Sequence, residues 1–398
     1  MKPFKLPKLS PTYIATVVFA ILFLLIGNRV AGKTTFHSEN EKADFVRARV
    51  TAVLSVSKDK YGEASDGLTM TNVVFEAKAL NGYQKGEALR CSQTLDSLFA
   101  LSVPQVKVRD TVLLEYTEPQ EGGEEAPDYV MVEFVRTGPL IWLTILFAVL
   151  VLLFGRKKGA DTLLSFVFSI AAIFAVLVPA LLSGRDIYGW SLLICVFIVV
   201  TNLLLVQGPS AKCLAAGLGC LGGVLAAGAI ILAVNRPMHI AGLMNEEAIY
   251  LKDLGIDIKA IVFCMIMIGS MGALMDMAMD IASALHELRE KHAGITAAEL
   301  MRSGINIGQD LIGTMANTLI LAYIGESMAF LLVMIYFSSS TTVMMNMEII
   351  AVSILQCLAG CLSLLAVVPL TSLFCSMFYL RGKPKTVWYE SGEDEEAE

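Results

Sequence analysis

The sequence has 398 residues, of which 56% are hydrophobic and 17% are charged, and its formal net charge is −7. An ordinary soluble domain is about 25% charged, so this composition excludes a soluble enzyme and a disordered scaffold. The basic residues do not form the clustered face that nucleic-acid binding requires, and no nucleic-acid partner is expected.

Eight unbroken apolar runs predict a polytopic α-helical membrane protein with about eight transmembrane helices. The runs cover residues 13–30, 138–154, 163–182, 188–206, 211–234, 258–285, 307–337 and 348–380. The first run is long, which favours a retained anchor. A weak signal-peptide cleavage site at residues 26–32 leaves removal of this segment open.

Residues 33–136, after the first run, predict an extracytoplasmic β-rich domain. Alternating stretches at 45–54, 71–80, 106–116 and 129–134 are separated by turn clusters, which is typical of five to seven strands in a small barrel or sandwich. Its single cysteine, Cys91, cannot form a disulfide within the domain. No catalytic motif is present, which favours a structural or gating cap over a ligand-binding or partner-binding domain.

The third to fifth runs are almost free of ionisable residues and rich in glycine and alanine at 215–223 and 226–228. Small residues allow helices to approach closely, so these residues are interpreted as helix-packing residues. The outer loop 235–257 contains a short amphipathic stretch beginning at Asn245, which is either a surface helix or a connector. Cys357 and Cys361 are interpreted as packing residues, since a soft-metal site would need more ligands.

Carboxylates stand out in the sixth and seventh runs. Asp276 and Asp280 share one helix face, and Asp310, Thr314 and Asn317 share another. Consecutive antiparallel helices tend to be neighbours, so we expect the two polar faces to meet in one site.

Several carboxylates in a confined site hold a proton or bind a cation, because repulsion and desolvation raise at least one pKa. The expected ligand is therefore a proton or a divalent cation, a hard one unless a methionine sulfur also coordinates it. The alternative is a set of helix caps and interhelical hydrogen bonds without a transport role. Asp310 supports this alternative best, because it lies in the first turn of its run.

Glu326 follows Gly325 inside a run that is longer than one bilayer crossing needs. Either the helix breaks near Gly325 and places Glu326 at a kink, or it ends there and residues 328–337 fold separately.

The basic residues of the short connections predict the orientation. They follow the second, fourth, sixth and eighth runs and precede the first, which places both termini in the cytoplasm. The resulting domains are the N-terminus with its anchor, the β-rich domain, a membrane domain of about seven helices and an acidic cytoplasmic tail. Their bounds are 1–32, 33–136, 137–380 and 381–398.

Two stretches, GSMGALMDMAMDIASALHE at 269–287 and SGINIGQDLIGTMANTLILAYIG at 303–325, resemble the YibE/F family of bacterial multipass membrane proteins. The resemblance covers nearly the whole chain. It implies a bacterial cell membrane and a transport or efflux role without a defined substrate. Asp280 departs from the family pattern, which favours Asp276, Asp310 and Asn317 as site residues.

The expected function is membrane transport or efflux, moving or coupled to a cation, with no enzymatic activity. The alternative is a non-catalytic sensor or assembly factor that acts through the extracytoplasmic domain. An aspartyl protease with Asp276 and Asp310 as its dyad is disfavoured, because the seventh run lacks the Gly-x-Gly-Asp pattern of such enzymes. The expected partners are the lipid bilayer and a small ion or solute, and a homo-oligomer is left open.

Overall fold

The structure, a computed structural model, describes most of the chain in nine segments. They are residues 11–32, 45–60, 69–96, 104–117, 128–239, 251, 255–292, 294–337 and 340–379. The amphipathic stretch at Asn245 and the acidic tail lie outside the described residues. The chain forms two compact units, residues 1–34 with 151–398 and residues 35–150.

Five strands close into a small barrel in the second unit. They are β1 (Val46–Lys60), β2 (Thr69–Ala79), β3 (Ala88–Asp96), β4 (Thr111–Tyr116) and β5 (Tyr129–Phe134). The order around the barrel is β1-β2-β3-β5-β4. All pairs are antiparallel except β3 with β5, which is parallel. The structure thus selects the barrel from the two predicted architectures.

The barrel interior follows the period-two pattern of the sequence. Val46, Ala48 and Val50 of β1 are buried, as are Val73 and Phe75 of β2, and their neighbours along the strands point outward. Register shifts in β1, between Val50 and Ala52 and again after Val53, bend this 15-residue strand so that it pairs on both sides.

The predicted strand at 106–116 is wrong in its first half, because only Thr111–Tyr116 is a strand. A buried glutamine explains why Val106 nevertheless belongs to the core. Gln93 of β3 donates from Nε2 to the Pro104 carbonyl (3.0 Å) and accepts from the Val106 amide (2.9 Å). One side chain therefore satisfies the backbone polar groups that a neighbouring strand would otherwise satisfy.

Cys91 is fully buried in the barrel, and burial together with the charge of Asp128 raises the pKa of its thiol to about 12 from an ordinary 9.0. We expect the folded protein to resist maleimide at Cys91 near neutral pH and to react once unfolded. The folded state holds this proton more tightly, so the contribution to stability is complete below pH 9 and is lost as the pH rises towards 12. Labelling kinetics across pH, with Cys91→Ala as the blank, measure this. Fast labelling of the native protein near neutral pH would contradict it.

Seven helices in the described part of the chain are long and apolar enough to cross a membrane. In chain order, the helices are α1 (Pro11–Ala31), α2 (Thr137–Ala172), α3 (Val178–Leu182), α4 (Ile187–Gln207), α5 (Ala211–Met238), α6 (Ile258–Lys291), α7 (Ala297–Phe337), α8 (Thr341–Met345) and α9 (Glu348–Tyr379). The second of the seven is the combined segment Thr137–Leu182 of 46 residues, which contains two of the predicted runs.

The combined segment changes direction at Arg156, whose φ of 49° and ψ of −122° are not helical. A Cβ on Gly159 would overlap the carbonyl oxygen of Val151, eight residues earlier. In a straight helix these two residues would be about 12 Å apart. The chain therefore turns sharply between the second and third predicted runs, and only glycine fits at position 159.

A π-helical segment, Ile173–Leu177, joins α2 to α3 ahead of Pro179. Proline has no N–H, so the carbonyl of Ala175, four residues earlier, loses its helical partner. Asn28 of α1 supplies a replacement by donating its side-chain amide to that carbonyl (2.5 Å). The first helix also packs on α4, where the Phe23 and Phe197 rings stack at 4.1 Å.

Small residues of α5 bring it against α6 and α9; the sequence indicated a packing role for these residues but not their partner helices. A Cβ on Gly219 would overlap Thr371 of α9, and one on Gly223 would overlap Val367. The Cβ position of Gly228 lies 3.2 Å from the nearest ring atom of Phe263 on α6. These contacts leave no room for larger side chains, so backbone proximity holds the three helices together.

Candidate functional site

The two helices that carry the predicted site begin at defined caps. The Asp257 carboxylate accepts from the Lys259 amide (3.0 Å) at the start of α6. Ahead of α7, the Thr296 hydroxyl accepts from the Glu299 amide (3.3 Å), and the Glu299 carboxylate accepts in return from the Thr296 amide (2.9 Å). This reciprocal capping box starts α7 before the predicted run at residue 307.

Two contacts set the alignment of α6 and α7. Leu285 of α6 lies 2.8 Å from the Cβ position of Gly304 on α7, and the Tyr323 hydroxyl of α7 lies 2.8 Å from that of Gly269 on α6. The helices are therefore antiparallel neighbours. Asp276 is nine residues before Leu285 and Thr314 is ten after Gly304, about 14 and 15 Å at 1.5 Å per residue. The two predicted faces thus lie at a common depth.

The rotation of α7 differs from the expectation. Tyr323, which contacts α6, is nine residues from Thr314, or about two and a half helical turns. The two side chains therefore leave α7 on opposite sides. Asp310 and Asn317 share the side of Thr314, so this polar face is turned away from α6. The expectation that the two polar faces meet does not agree with these contacts, which also leave no place for a shared Asp276–Asp310 dyad.

All six predicted site residues are exposed on the helical unit. They are Asp276, Asp280, Asp310, Thr314, Asn317 and Glu326. The Thr314 hydroxyl donates its hydrogen bond to the Leu311 carbonyl of its own helix (2.9 Å) and not to another site residue. Within the described residues, no group of three or more His, Cys, Asp or Glu side chains is placed to hold a metal ion.

Asp276 and Asp280 remain the closest pair of predicted carboxylates, one helical turn apart on α6. Asp276 lies seven residues, or about two turns, after Gly269 and so shares its side of the helix. Gly272 lies on an adjacent side of α6, and no atom lies within 4 Å of its Cβ position. The two carboxylates have no ion-pair partner in the part of the chain that the structure describes.

Glu326 lies within an unbroken helix, because α7 continues from Ala297 to Phe337 without interruption. Both alternatives for this region, a break near Gly325 and a helix end there, are therefore wrong. Residues 328–337 extend the apolar surface of the same helix, and α-helical hydrogen bonding suits a segment with no proline. Glu326 consequently stands on an exposed helix face rather than at a kink.

The sequence did not single out Tyr323. Its hydroxyl is buried and has no hydrogen-bond partner among the described residues. The ring lines a cavity of about 240 Å³ between α7, α8 and α9, together with Ile320, Ser327, Met344 and Cys357. In an apolar run, a tyrosine gives no sequence signal that distinguishes a cavity wall from ordinary packing.

Long apolar helices, a turn in the second of them and an N-terminal five-stranded barrel define a coarse class: mostly helical proteins with a small β-domain and several helices long and apolar enough to cross a membrane. The profile of the YibE/F-like protein family matches residues 143–381. The chain therefore belongs to the YibE/F-like family, which confirms the resemblance. No curated protein and no solved structure matches the chain.

Proposed function

We propose that this protein is a transporter of the bacterial cytoplasmic membrane that moves a cation, or a solute coupled to one, and catalyses no chemical reaction. The carboxylate pair Asp276 and Asp280 carries the proposal. The two acids interrupt an otherwise apolar helix, and ionisable residues within membrane-spanning segments usually face protein or a water-filled cavity and mark ion pathways. Both carboxylates are exposed, and no atom lies within 4 Å of the Cβ position of Gly272, so an ion could reach them.

The proposed topology has eight crossings with both termini in the cytoplasm. One cavity is lined by Thr12, Lys157 and Gly208, so the start of α1, the turn in α2 and the α4–α5 connection share one side. The opposite ends of the helices meet at a second cavity lined by Gly184 and Asp257. Lysines gather on the first side, which favours the cytoplasm there.

Connectivity supports the eighth crossing. Gly32, just after α1, lies against Ser183 at the end of α3, whereas the turn at Arg156 lies at the other side, near Thr12. The chain must return between these points. Its only apolar run there is residues 138–154, about 26 Å long as a helix. The barrel, which precedes this run, is then extracytoplasmic, and the contacts of α1 favour a retained anchor.

The ligand at Asp276 and Asp280 is proposed to be a proton or a hard divalent cation. Two carboxylates one turn apart share a proton or accept a cation more readily than they remain a bare pair of like charges. Asp310, Thr314 and Asn317 form a separate polar face, and a homo-oligomer would cover that face with protein instead of lipid.

The test measures thermal unfolding of the purified protein with Mg²⁺, Mn²⁺ or Ca²⁺ across pH. A ligand that binds only the folded state raises the unfolding temperature. We expect Asp276→Asn to abolish the ion-dependent rise and Asp280→Asn to weaken it. Glu287→Gln, which removes an exposed acid paired with Lys291 on the same helix, should keep it.

The same experiment separates the alternative function. Closed five-stranded barrels include OB-folds, which bind ligands on one strand face, so a sensor or assembly role through the barrel is the second candidate. Ion-dependent stabilisation that survives Asp276→Asn would contradict the acid site. Absence of any ion or pH response in the wild-type protein would favour the sensor or assembly role.

A further inference from the structure

A cavity of about 310 Å³ lies where three chain connections meet: the start of α1, the turn in α2 and the link between α4 and α5. Its volume is at the lower end of the range of ligand pockets, roughly 300–1,000 Å³. In the proposed topology this end of the helices is cytoplasmic. The cavity therefore lies at the level of the lipid headgroups of the inner leaflet.

The lining of the cavity carries more positive than negative charge. Lys157 and Lys158 line it, and neither ammonium group has an ion-pair partner in the described ranges. The one acid in the lining is Asp161, whose carboxylate is hydrogen-bonded by the Tyr13 hydroxyl. Two lysines against one hydrogen-bonded carboxylate leave an excess of one positive charge.

Helix α5 adds to this positive charge. Gly208 and Pro209 line the cavity and lead directly into α5, a helix of 28 residues. The positive end of its dipole thus lies beside the same space as the lysines. Another part of the lining is apolar, with Leu204, Leu205 and Val206 of α4. A lining that combines lysines with apolar side chains matches a ligand with an anionic head and an apolar body.

We propose that this cavity binds a phosphate-bearing anion through Lys157 and Lys158. Basic pockets between transmembrane helices on the cytoplasmic side are a known mode of recognition for anionic lipid headgroups. The phosphate belongs either to an anionic phospholipid of the inner leaflet or to a soluble phosphate ester. This site is separate from Asp276 and Asp280, so neither proposal depends on the ligand of the other.

The experiment compares thermal unfolding of the full chain in phosphatidylcholine nanodiscs, in nanodiscs that also contain phosphatidylglycerol, and in phosphatidylcholine nanodiscs with added glycerol 3-phosphate. We expect phosphatidylglycerol to raise the unfolding temperature and native mass spectrometry to detect the retained lipid. Lys157→Gln and Lys158→Gln are made one at a time, so that two basic residues remain in the turn and keep the membrane orientation of the protein. Each variant should weaken phosphatidylglycerol binding about tenfold.

Two further variants keep the result interpretable if the lysine variants are unstable. Gln207→Trp narrows the cavity and leaves every charge in place, and it should also reduce binding. Lys291→Gln removes an exposed lysine at the end of α6, paired with Glu287, and should bind as the wild type does. Stabilisation by glycerol 3-phosphate alone would assign the soluble source. Equal losses in Lys291→Gln, normal binding in Gln207→Trp, or no response to either phosphate source would overturn the proposal.

Discussion

Gly223→Leu is expected to cause a large loss of stability in the helical unit. Gly223 of α5 faces Val367 of α9. The Cβ position of Gly223 is 3.4 Å from the Leu274 side chain of α6. Both neighbours are fully buried. Val367 is β-branched and stiff, so it cannot rotate away from a new side chain. The helices would have to separate, and their mutual contacts would be lost.

The expected size follows from overpacking of a dense core. Gly223→Ala should lower the free energy of unfolding by about 1–3 kcal/mol, and Gly223→Leu should lower it further. Unfolding temperature and monodispersity of the purified protein measure both. Gly325→Ala is the matched control, because nothing lies within 4 Å of that Cβ position and alanine favours the helix by roughly 0.5–1 kcal/mol. An unchanged melting temperature in Gly223→Leu would show that α5 and α9 do not pack as described.

Gln93→Leu should lower the free energy of unfolding of the barrel by about 2–6 kcal/mol, because it leaves two backbone groups unpaired at roughly 1–3 kcal/mol each. The leucine has a similar volume, so packing is largely kept while the bonds to Pro104 and Val106 are lost. Val106 is buried at 2% exposure, and water cannot easily replace the glutamine.

Urea unfolding of residues 33–136, followed by circular dichroism, measures this loss. Thr94→Val is the control, since its hydroxyl bonds Asn72 on the exposed outside of the same barrel (3.0 Å) and should contribute little. Faster amide exchange at Val106 in the full-length Gln93→Leu protein gives a second measure. Equal stability of Gln93→Leu and Thr94→Val would show that the 104–110 segment is not held by Gln93.

Periodicity and run length predicted the elements that depend on local chemistry. The last five apolar runs recur as α4, α5, α6, α7 and α9, most of them within a few residues of their predicted bounds, and β1, β2 and β5 follow the alternating stretches. The roles of the glycines at 219 and 223 were also readable, because small residues in a row have few other uses in a membrane helix.

What the sequence could not supply was rotation about a helix axis and long-range pairing. The spacing of Asp310, Thr314 and Asn317 places them on one side of α7, but only the contact of Tyr323 with Gly269 shows where that side points. Similarly, nothing local distinguishes Gln93, which bonds 11 and 13 residues away, from an exposed glutamine.

The position of Asp276 along α6 also indicates how deep in a membrane this carboxylate would lie. In the proposed topology, Asp257 and Lys259 lie at the extracytoplasmic end of α6, and Asp276 follows Ile258 by 18 residues, about 27 Å along the axis. A hydrocarbon core is about 30 Å thick, so an upright α6 brings Asp276 close to its cytoplasmic boundary. An ion arriving from the cytoplasm would then meet both carboxylates before it enters the insulating layer. Nearly the whole dielectric barrier would lie beyond them, along residues 260–275, which contain no aspartate, glutamate, lysine, arginine or histidine. The apolar turns of α6 at residues 260–275, rather than the two carboxylates, would then determine the energy barrier to ion passage.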